Sequence, residues 1–276
     1  MDQILIWGGD ERSLALRELL RRRGYSVVSR GLDEEDADPA AQYRLVVLPV
    51  PSFLGKPARL KVIVGEAPTL EEVAASLAPG VRVAGYFMGD QWERWLACVP
   101  ARRCFDMAQD EGYLVDNAEL TAEGAVALAA SSGGRGLWGS HCLVMGYGRI
   151  GKALVARLLS MRAQVLVTAR RAEQRSEIAD TGALPCDYPE LHGFLPQQDF
   201  VFNTVPTPIL GVEELMRLPE HTRLYELSSL PYGIDLTAAH ALGLWVQDYP
   251  GLPGKMYAQT SALILYKSLR PLLQDR

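Results

Sequence analysis

Apolar residues in this chain come in short continuous runs separated by amphipathic stretches, the pattern of buried parallel strands alternating with helices. Ile4-Leu5-Ile6-Trp7 is the first such run and breaks into Gly8-Gly9-Asp10. Helical spacing follows over residues 12–23, with Leu14, Leu16, Leu19 and Leu20 on one side and Gly24 as the stop. Residues 25–29 and 45–48 read as the next strands, the second closed by Pro49 and Pro51. Thr69 predicts an N-cap, completed as a capping box by Glu72, for a helix reaching Ala78, and residues 82–86 predict another strand. The charge run Asp33-Glu34-Glu35-Asp36 predicts a solvated loop. An alanine-rich helix is expected over residues 121–131, then a loose connection through Gly133 and Gly134. Beyond it the rhythm repeats: strands ending at Met145 and spanning residues 164–168, 200–203, 223–226 and 244–247, a helix over 151–160, and a long last helix over 257–273.

This alternation predicts an α/β protein of two open parallel-sheet domains. The first, flavodoxin-like in rhythm, covers residues 1–118, and the second, a Rossmann domain, covers residues 119–255. The 121–131 helix is read as their hinge, and the segment 256–276 as a helix returning to the first domain. Ligands of such sheets bind beyond the carboxyl ends of the strands. Gly9, Asp10, Arg12 and the segment 49–52 are therefore expected to face a ligand.

The sharpest chemical signal is Gly146-Tyr147-Gly148-Arg149-Ile150-Gly151, a G-x-G-x-x-G directly after an apolar strand and opening a helix. The first glycine permits a tight turn, the second lets backbone approach a pyrophosphate, and the third lets helix and strand pack closely. The helix N-terminus offers N–H groups and a positive dipole end to the anion. The phosphate-loop pattern of nucleotide hydrolases fits up to Lys152 but fails at Ala153, which has no hydroxyl for magnesium. At the end of the next strand an NAD site carries a carboxylate for the ribose 2′-hydroxyl, whereas this chain runs Thr168-Ala169-Arg170-Arg171 with no carboxylate until Glu173. Guanidinium groups there grip a 2′-phosphate. NADP is accordingly predicted over NAD, with Thr168, Ala169, Arg170 and Arg171 around the 2′-phosphate. Asn203, Thr204, Val205 and Pro206 are expected at the nicotinamide ribose, with Ser228 on the next strand-end turn. Arg149 is expected to reach the pyrophosphate and Lys152 to be a solvated helix residue.

Composition narrows the alternatives. The 276 residues are 48% hydrophobic with a net charge of −5, which disfavours a nucleic-acid or anionic-membrane surface. No apolar run reaches the ~18 residues of a membrane span. The start, Met1-Asp2-Gln3-Ile4, lacks a signal-peptide pattern, so a cytoplasmic location is expected. Cys98, Cys104, Cys142 and Cys186 show no C-x-x-C pairing and fit reduced thiols, with Cys142 as a buried strand residue. No motif calls for a metal.

Gly8-Gly9-Asp10 with Arg12, Leu48-Pro49-Val50, Asn117 with Thr121-x-Glu123-Gly124, the Gly146 to Gly151 loop, Asn203-Thr204-Val205-Pro206 and Pro250-Gly251-Leu252-Pro253-Gly254 occur in an order and spacing that resemble the A-type subunit of dipicolinate synthase, along nearly the full length. The resemblance implies loss of water from the product of dihydrodipicolinate synthase and NADP-dependent oxidation of the dihydropyridine to dipicolinate, in the mother-cell cytoplasm during sporulation. It also implies a partner, the flavoprotein-like B-type subunit of dipicolinate synthase. It implies substrate contacts at Gly9, Arg12, Asn117 and Thr121. A dianionic substrate wants cations or free amides, for which Arg12, the amides of Gly9 and Asp10, and Lys255 are candidates. Glu123, placed in the first turn of the hinge helix, is either the proton acceptor or a carboxylate serving the helix dipole. Asp10 is the second candidate base, or simply an N-cap. Two cations of the family pattern are missing: Leu230 stands where an Arg is expected, and Gln259 where a Lys is expected before Thr260. 2-Hydroxy-acid and alanine-dehydrogenase-like enzymes share the plan. The former need an Arg and a Glu–His pair, but the matching turn is Ser228-Ser229-Leu230-Pro231, and His240 reads as structural. A non-catalytic NADP-binding protein is a further alternative. Two-fold association, as a homodimer, is the prior for such chains.

Overall fold

The computed structural model describes residues 3–33 and 36–274. Glu34 and Glu35 of the charge run, and the extreme ends of the chain, lie outside the described residues. Two units are present: Met1–Asn117 with Gly254–Arg276, and Ala118–Pro253. Among the described residues no helix is long and apolar enough to cross a membrane.

In chain order the first unit contains β1 (Gln3–Trp7), α1 (Glu11–Arg22), β2 (Ser26–Arg30), β3 (Leu45–Val47), a short hairpin of β4 (Phe53–Leu54) and β5 (Arg59–Leu60), α2 (Leu70–Ser76), β6 (Arg82–Gly85), α3 (Gln91–Cys98), β7 (Cys104–Asp106) and the start of α4 (Glu111–Ser131). Its main sheet has the order β2-β1-β3-β6-β7 with every pair parallel, the flavodoxin-like order expected. Alternation along β1 explains why both faces are covered. Ile4 and Ile6 join Leu16 and Leu20 of α1, whereas Leu5 and Trp7 join Val73 of α2 and Trp95 of α3. Thr69 and Glu72 form the anticipated capping box, with Thr69 N donating to Glu72 Oε2 at 2.7 Å and Glu72 N to Thr69 Oγ1 at 3.3 Å.

The second unit continues α4 and then holds β8 (His141–Met145), α5 (Arg149–Ser160), β9 (Gln164–Thr168), α6 (Ala172–Asp180), β10 (Leu184–Cys186), β11 (Phe200–Asn203), α7 (Val212–Leu215), β12 (Arg223–Glu226), α8 (Leu236–Ala241), β13 (Trp245–Asp248) and the start of α9 (Leu252–Met256). The strand order is β10-β9-β8-β11-β12-β13, again all parallel, which is the doubly wound Rossmann order. Cys142, Val144, Phe200 and Phe202 pack on one face against Leu154 and Leu158 of α5 and against Ala122, Ala125 and Ala129 of α4. The alanines let α4 approach the sheet closely. The edge strand β10 carries Pro185, which hides it from a sequence reading and suits an edge position.

Helix α4 departs from expectation. It starts at Glu111, not Thr121, and its first turn is held by Asp110, whose Oδ1 accepts from Tyr113 N at 3.2 Å. The last helix, α10 (Ala258–Gln274), belongs to the first unit and lies along α1. Its Ala262, Leu265, Leu269 and Leu273 share a core with Leu16 and Leu20. The expected return of the C-terminal helix to the first sheet is therefore a packing fact. Leu269 is 0% exposed. Leu269→Ala is expected to lower the unfolding free energy by about 3 kcal/mol, measured by urea denaturation of the full chain.

Candidate active site

The three glycines after β8 have separable roles. Gly146 adopts φ +94°, and a Cβ there would lie 2.5 Å from Val205 Cγ2 and 2.8 Å from Thr204 Oγ1. At Gly151 a Cβ would lie 2.2 Å from the Gly146 carbonyl oxygen, so helix and loop touch only because that side chain is missing. At Gly148 a Cβ would meet nothing within 4 Å. Gly148 is also the N-cap of α5 and supplies no capping side chain. The result is an open backbone cradle at an uncapped helix start, which fits a diphosphate. Arg149 is exposed at the rim and Ile150 is half-buried against the sheet core.

Several side chains assigned to the cofactor point elsewhere. Tyr147 is 7% exposed and its ring packs in the sheet core, with the Lys152 ammonium 5.1 Å from the ring centroid. Lys152 is otherwise solvated and pairs with Glu177 at 2.8 Å. Thr168 is fully buried; its Oγ1 accepts from Gly146 N at 3.3 Å and shapes the loop instead of facing a phosphate. Ala169 is buried as well. The guanidinium holding this turn is Arg175, which the sequence reading misses. Its Nη1 donates to Ala169 O at 2.9 Å and to Arg170 O at 2.8 Å, and lies 3.4 Å from Asp187. Arg170 and Arg171 are exposed, and neither forms a salt bridge among the described residues. Arg170 and Val205 line one cavity of about 380 Å³ with Tyr188, Leu191, His192 and Ile209. That groove lies past the ends of β9, β10 and β11.

Beyond β11 the chain is held by a buried polar node. Asn203 is 0% exposed, so its amide is internal and not a ribose contact. Its Nδ2 donates to both oxygens of Glu226 at 2.8 Å and to Val205 O at 2.9 Å, and its Oδ1 accepts from Val205 N at 3.1 Å. Thr204 anchors the same turn through Oγ1 to Met145 O at 2.8 Å. Pro206 is exposed beside it. Glu226, also 0% exposed, accepts from Ser228 N at 2.8 Å, Gly233 N at 3.0 Å and Ile234 N at 3.1 Å. Ser228 is buried, and its hydroxyl turns to Ser229 O at 3.2 Å. Nothing in the local sequence marks Glu226, because its role needs Asn203, 23 residues earlier, as well as the amides of the turn that follows it.

In the first unit, the carboxyl end of β1 carries a charge cluster. Asp10 is the N-cap of α1, accepting from Arg12 N at 3.0 Å. The Arg12 guanidinium, 5% exposed, pairs with Asp10 at 2.7 Å, and the same carboxylate takes Lys61 Nζ at 2.5 Å. Arg12 Nη2 also donates to Val50 O, on the segment expected to face a ligand. Gly254 leaves the space beside Arg12, since a Cβ there would lie 2.5 Å from Nε. Lys61 is a second site residue missed in the sequence, brought in by the β4–β5 hairpin. Burial would raise the Asp10 pKa, but hydrogen bonds and charge from Arg12 and Lys61 overcome it and hold the carboxyl far below its ordinary 3.8. Asp10 is thereby a poor proton acceptor, and the structure corrects that assignment to an N-cap and counter-ion. The Gly9 amide is likewise committed, donating to Lys61 O at 2.7 Å.

The remaining assignments rest on α4 and α9. Because α4 begins at Glu111, Glu123 is a mid-helix, exposed residue and not a first-turn one, so the dipole argument for it lapses. Thr121 is 5% exposed inside the same helix, and Asn117 is half-buried a turn earlier. Lys255 is exposed in the last turn of α9. His240 is exposed in the last turn of α8.

A carboxyl group with a depressed folded-state pKa stabilises the fold above its unfolded value and loses that contribution as pH falls through the folded one. Asp10→Asn is expected to destabilise the chain by about 3 kcal/mol at pH 7, since it leaves Arg12 buried without its counter-ion. The deficit should shrink as pH is lowered below about 4, where the unfolded-state carboxyl of the wild type takes up its proton. Urea melts of both proteins between neutral and acid pH measure it.

Known proteins share this outline. Residues 115–223 match the family model described as D-isomer specific 2-hydroxyacid dehydrogenase, NAD binding domain. The A-type subunit of dipicolinate synthase from Bacillus subtilis (strain 168) is 25% identical over 285 residues, covering 99% of this chain and 96% of its own. A crystal structure of the corresponding dipicolinate synthase subunit from Bacillus halodurans aligns with a TM-score of 0.83 at 23% identity, covering 100% of this chain and 98% of that one. The transhydrogenase of Sinorhizobium meliloti aligns at 0.68 and 16% identity, covering 98% and 92%. The resemblance to the A-type subunit of dipicolinate synthase thus spans nearly the whole chain, and the second unit has the fold of a nicotinamide-dinucleotide-binding dehydrogenase domain.

Proposed function

We propose that this chain is an NADP-dependent oxidoreductase that forms dipicolinate from dihydrodipicolinate, the product for which the synthase it resembles is named, and that it works in the cytoplasm of a sporulating cell with a flavoprotein-like second subunit. The observation that carries the reading is the Gly146–Gly151 cradle at an uncapped helix start, beside a β9 end bearing Arg170 and Arg171 and no carboxylate until Glu173. In this reading the second unit holds the dinucleotide and the first holds the substrate.

The backbone amides at the start of α5 take the diphosphate, Arg149 adds a cation at its rim, and Arg170 and Arg171 take the 2′-phosphate. Thr204, Val205 and Pro206 bound the nicotinamide end. Bound there, the dinucleotide would supply a hydride acceptor at nicotinamide C4. In the first unit Arg12 and Lys61 carry two positive charges against the one negative charge of Asp10. That excess suits one carboxylate of a pyridine dicarboxylate, with Lys255 a candidate for the other. Lys255 is our candidate to replace one of the two cations absent at Leu230 and Gln259. As the ring hydride leaves with its electron pair, a proton leaves the neighbouring ring atom, a double bond forms, and the ring becomes aromatic. A proton acceptor is needed for that step, and Glu123, an exposed carboxylate on α4, is our candidate for it. Positioning and charge are what the protein supplies.

Two experiments test the proposal. Replacing Arg170 and Arg171 together by Ala should weaken NADP⁺ binding by about ten- to a hundredfold and leave NAD⁺ nearly unchanged; equal losses for both dinucleotides would remove the 2′-phosphate assignment. The purified chain, mixed with NADP⁺ and freshly generated dihydrodipicolinate, should produce NADPH and dipicolinate in step. Glu123→Gln should reduce that rate by about a hundredfold with little change in NADP⁺ affinity. Turnover that appears only with the second subunit makes the site a shared one. Dinucleotide binding with no turnover in either case favours a non-catalytic NADP-binding protein.

A further inference from the structure

The most unusual group in the second unit is the Glu226 carboxylate, 0% exposed at the carboxyl end of β12. Among the described residues, every one of its hydrogen-bond partners is a neutral N–H donor: Asn203 Nδ2, and the amides of Ser228, Gly233 and Ile234. Both oxygens are used, which an acceptor-only carboxylate satisfies and a glutamine cannot. No cation pairs with it among the described residues. Neutral donors stabilise a buried charge without cancelling its field, and in a low-dielectric surrounding that field reaches several ångströms. The adjoining turn, from Leu227 to Ile234, contains no basic residue. The neighbouring strand end adds charge of the same sign, for Glu226 stands beside Asp248 in the register of β12 and β13, and Asp248 accepts from Tyr232 Oη at 2.9 Å.

The same carboxylate fixes the geometry of two strand-end turns. Asn203 is locked between Glu226 and the Val205 backbone, and Gly233 passes so close that a Cβ there would lie 2.4 Å from Asn203 Nδ2. Thr204 and Val205 in turn press against Gly146. Burying an ion without a counter-charge is costly, so the negative charge kept here asks for a use beyond holding the turns. An oxidised nicotinamide ring is a cation, whereas the reduced ring is neutral. We infer that Glu226 is a charge-setting and positioning residue whose buried carboxylate, held behind the Asn203–Pro206 turn, favours the oxidised over the reduced nicotinamide. This rests on the cofactor reading above and adds a redox bias to it.

The test is binding, not turnover. Dissociation constants for NADP⁺ and NADPH are measured separately, by calorimetry, on the full wild-type chain, on Glu226→Gln and on the reciprocal double variant Asn203→Asp, Glu226→Gln. Glu226→Gln should raise the ratio Kd(NADP⁺)/Kd(NADPH) about fivefold, because only the cationic ring loses an attraction. The double variant returns a carboxylate to the other side of the same hydrogen bond and should restore the ratio to within about twofold of wild type. If Glu226→Gln weakens both dinucleotides equally, or if the double variant leaves the altered ratio unchanged, the carboxylate is only a structural tie and the inference is overturned. Should Glu226→Gln fail to fold, by circular dichroism, the ratio in the double variant and in Glu226→Asp decides: both must stay near wild type. Failure of the wild type to bind either dinucleotide would instead sink the cofactor reading itself.

Discussion

The second unit is organised around one close approach, that of Gly151 to the Gly146 carbonyl. A single methyl group at Gly151 would lie 2.2 Å from that oxygen. The first turn of α5 sits directly over the loop because nothing intervenes, and its open amides are aimed by that contact. The loop's other side is as tight, since Thr204 and Val205 would meet any side chain at Gly146. Thr204 in turn bonds Met145 O, and its neighbour Asn203 bonds Glu226. The glycine cradle, the turn after β11 and the buried carboxylate after β12 are therefore one continuous packing problem. Changing any of them moves the others.

The first unit solves a different problem at the matching place. There the turn after β1 also needs glycine: a Cβ at Gly8 would lie 2.3 Å from Lys61 O, and one at Gly9 1.8 Å from Ser13 Oγ. Yet this loop closes on protein instead of opening to an anion, with the Gly9 amide spent on Lys61 O and Asp10 capping α1. What it offers a ligand is side-chain charge. Arg12 and Lys61 are drawn together by Asp10, whose single negative charge leaves the cluster net positive. Two strand ends of similar glycine-rich sequence thus differ in what they present, open backbone amides in one unit and side-chain cations in the other.

How far the sequence reveals this depends on the range of the contacts. The longer apolar strands, the capping box at Thr69, the glycine cradle and the helical pattern of α10 follow from patterns within a few residues of each other, and they are readable; the short strands β4, β5, β7 and β10 are not. Glu226 and Lys61 are not, because each owes its role to a partner far along the chain: Asn203 lies 23 residues before Glu226, and Asp10 lies 51 residues before Lys61. Arg175 is missed although the carbonyls it holds lie only six and five residues before it. Motif membership also misleads where burial decides. Tyr147, Thr168, Asn203 and Ser228 sit inside or beside the expected motifs, but their side chains turn into the protein to build the site's walls. Thr121 and Glu123 look like a helix start in the sequence, whereas Asp110 is the group that caps α4, a full ten residues earlier in the chain by its first helical residue Glu111.

The carboxyl edge of the second sheet carries a gradient of charge when followed in strand order. At the end of β9 stand Arg170 and Arg171, with Arg175 already paired to Asp187 and so not part of the surplus. At the end of β8 is an uncharged backbone cradle. At the ends of β12 and β13 stand Glu226 and Asp248. An oxidised dinucleotide phosphate laid along this edge, as proposed, meets the gradient with charges of opposite sign: its 2′-phosphate over the guanidinium groups, its diphosphate over the amides, its cationic ring over the carboxylates. Reversing the molecule would set phosphate against carboxylate and ring against arginine. In the proposed reading, electrostatics along the edge would favour one orientation, and contact at the glycine loop would fix the register.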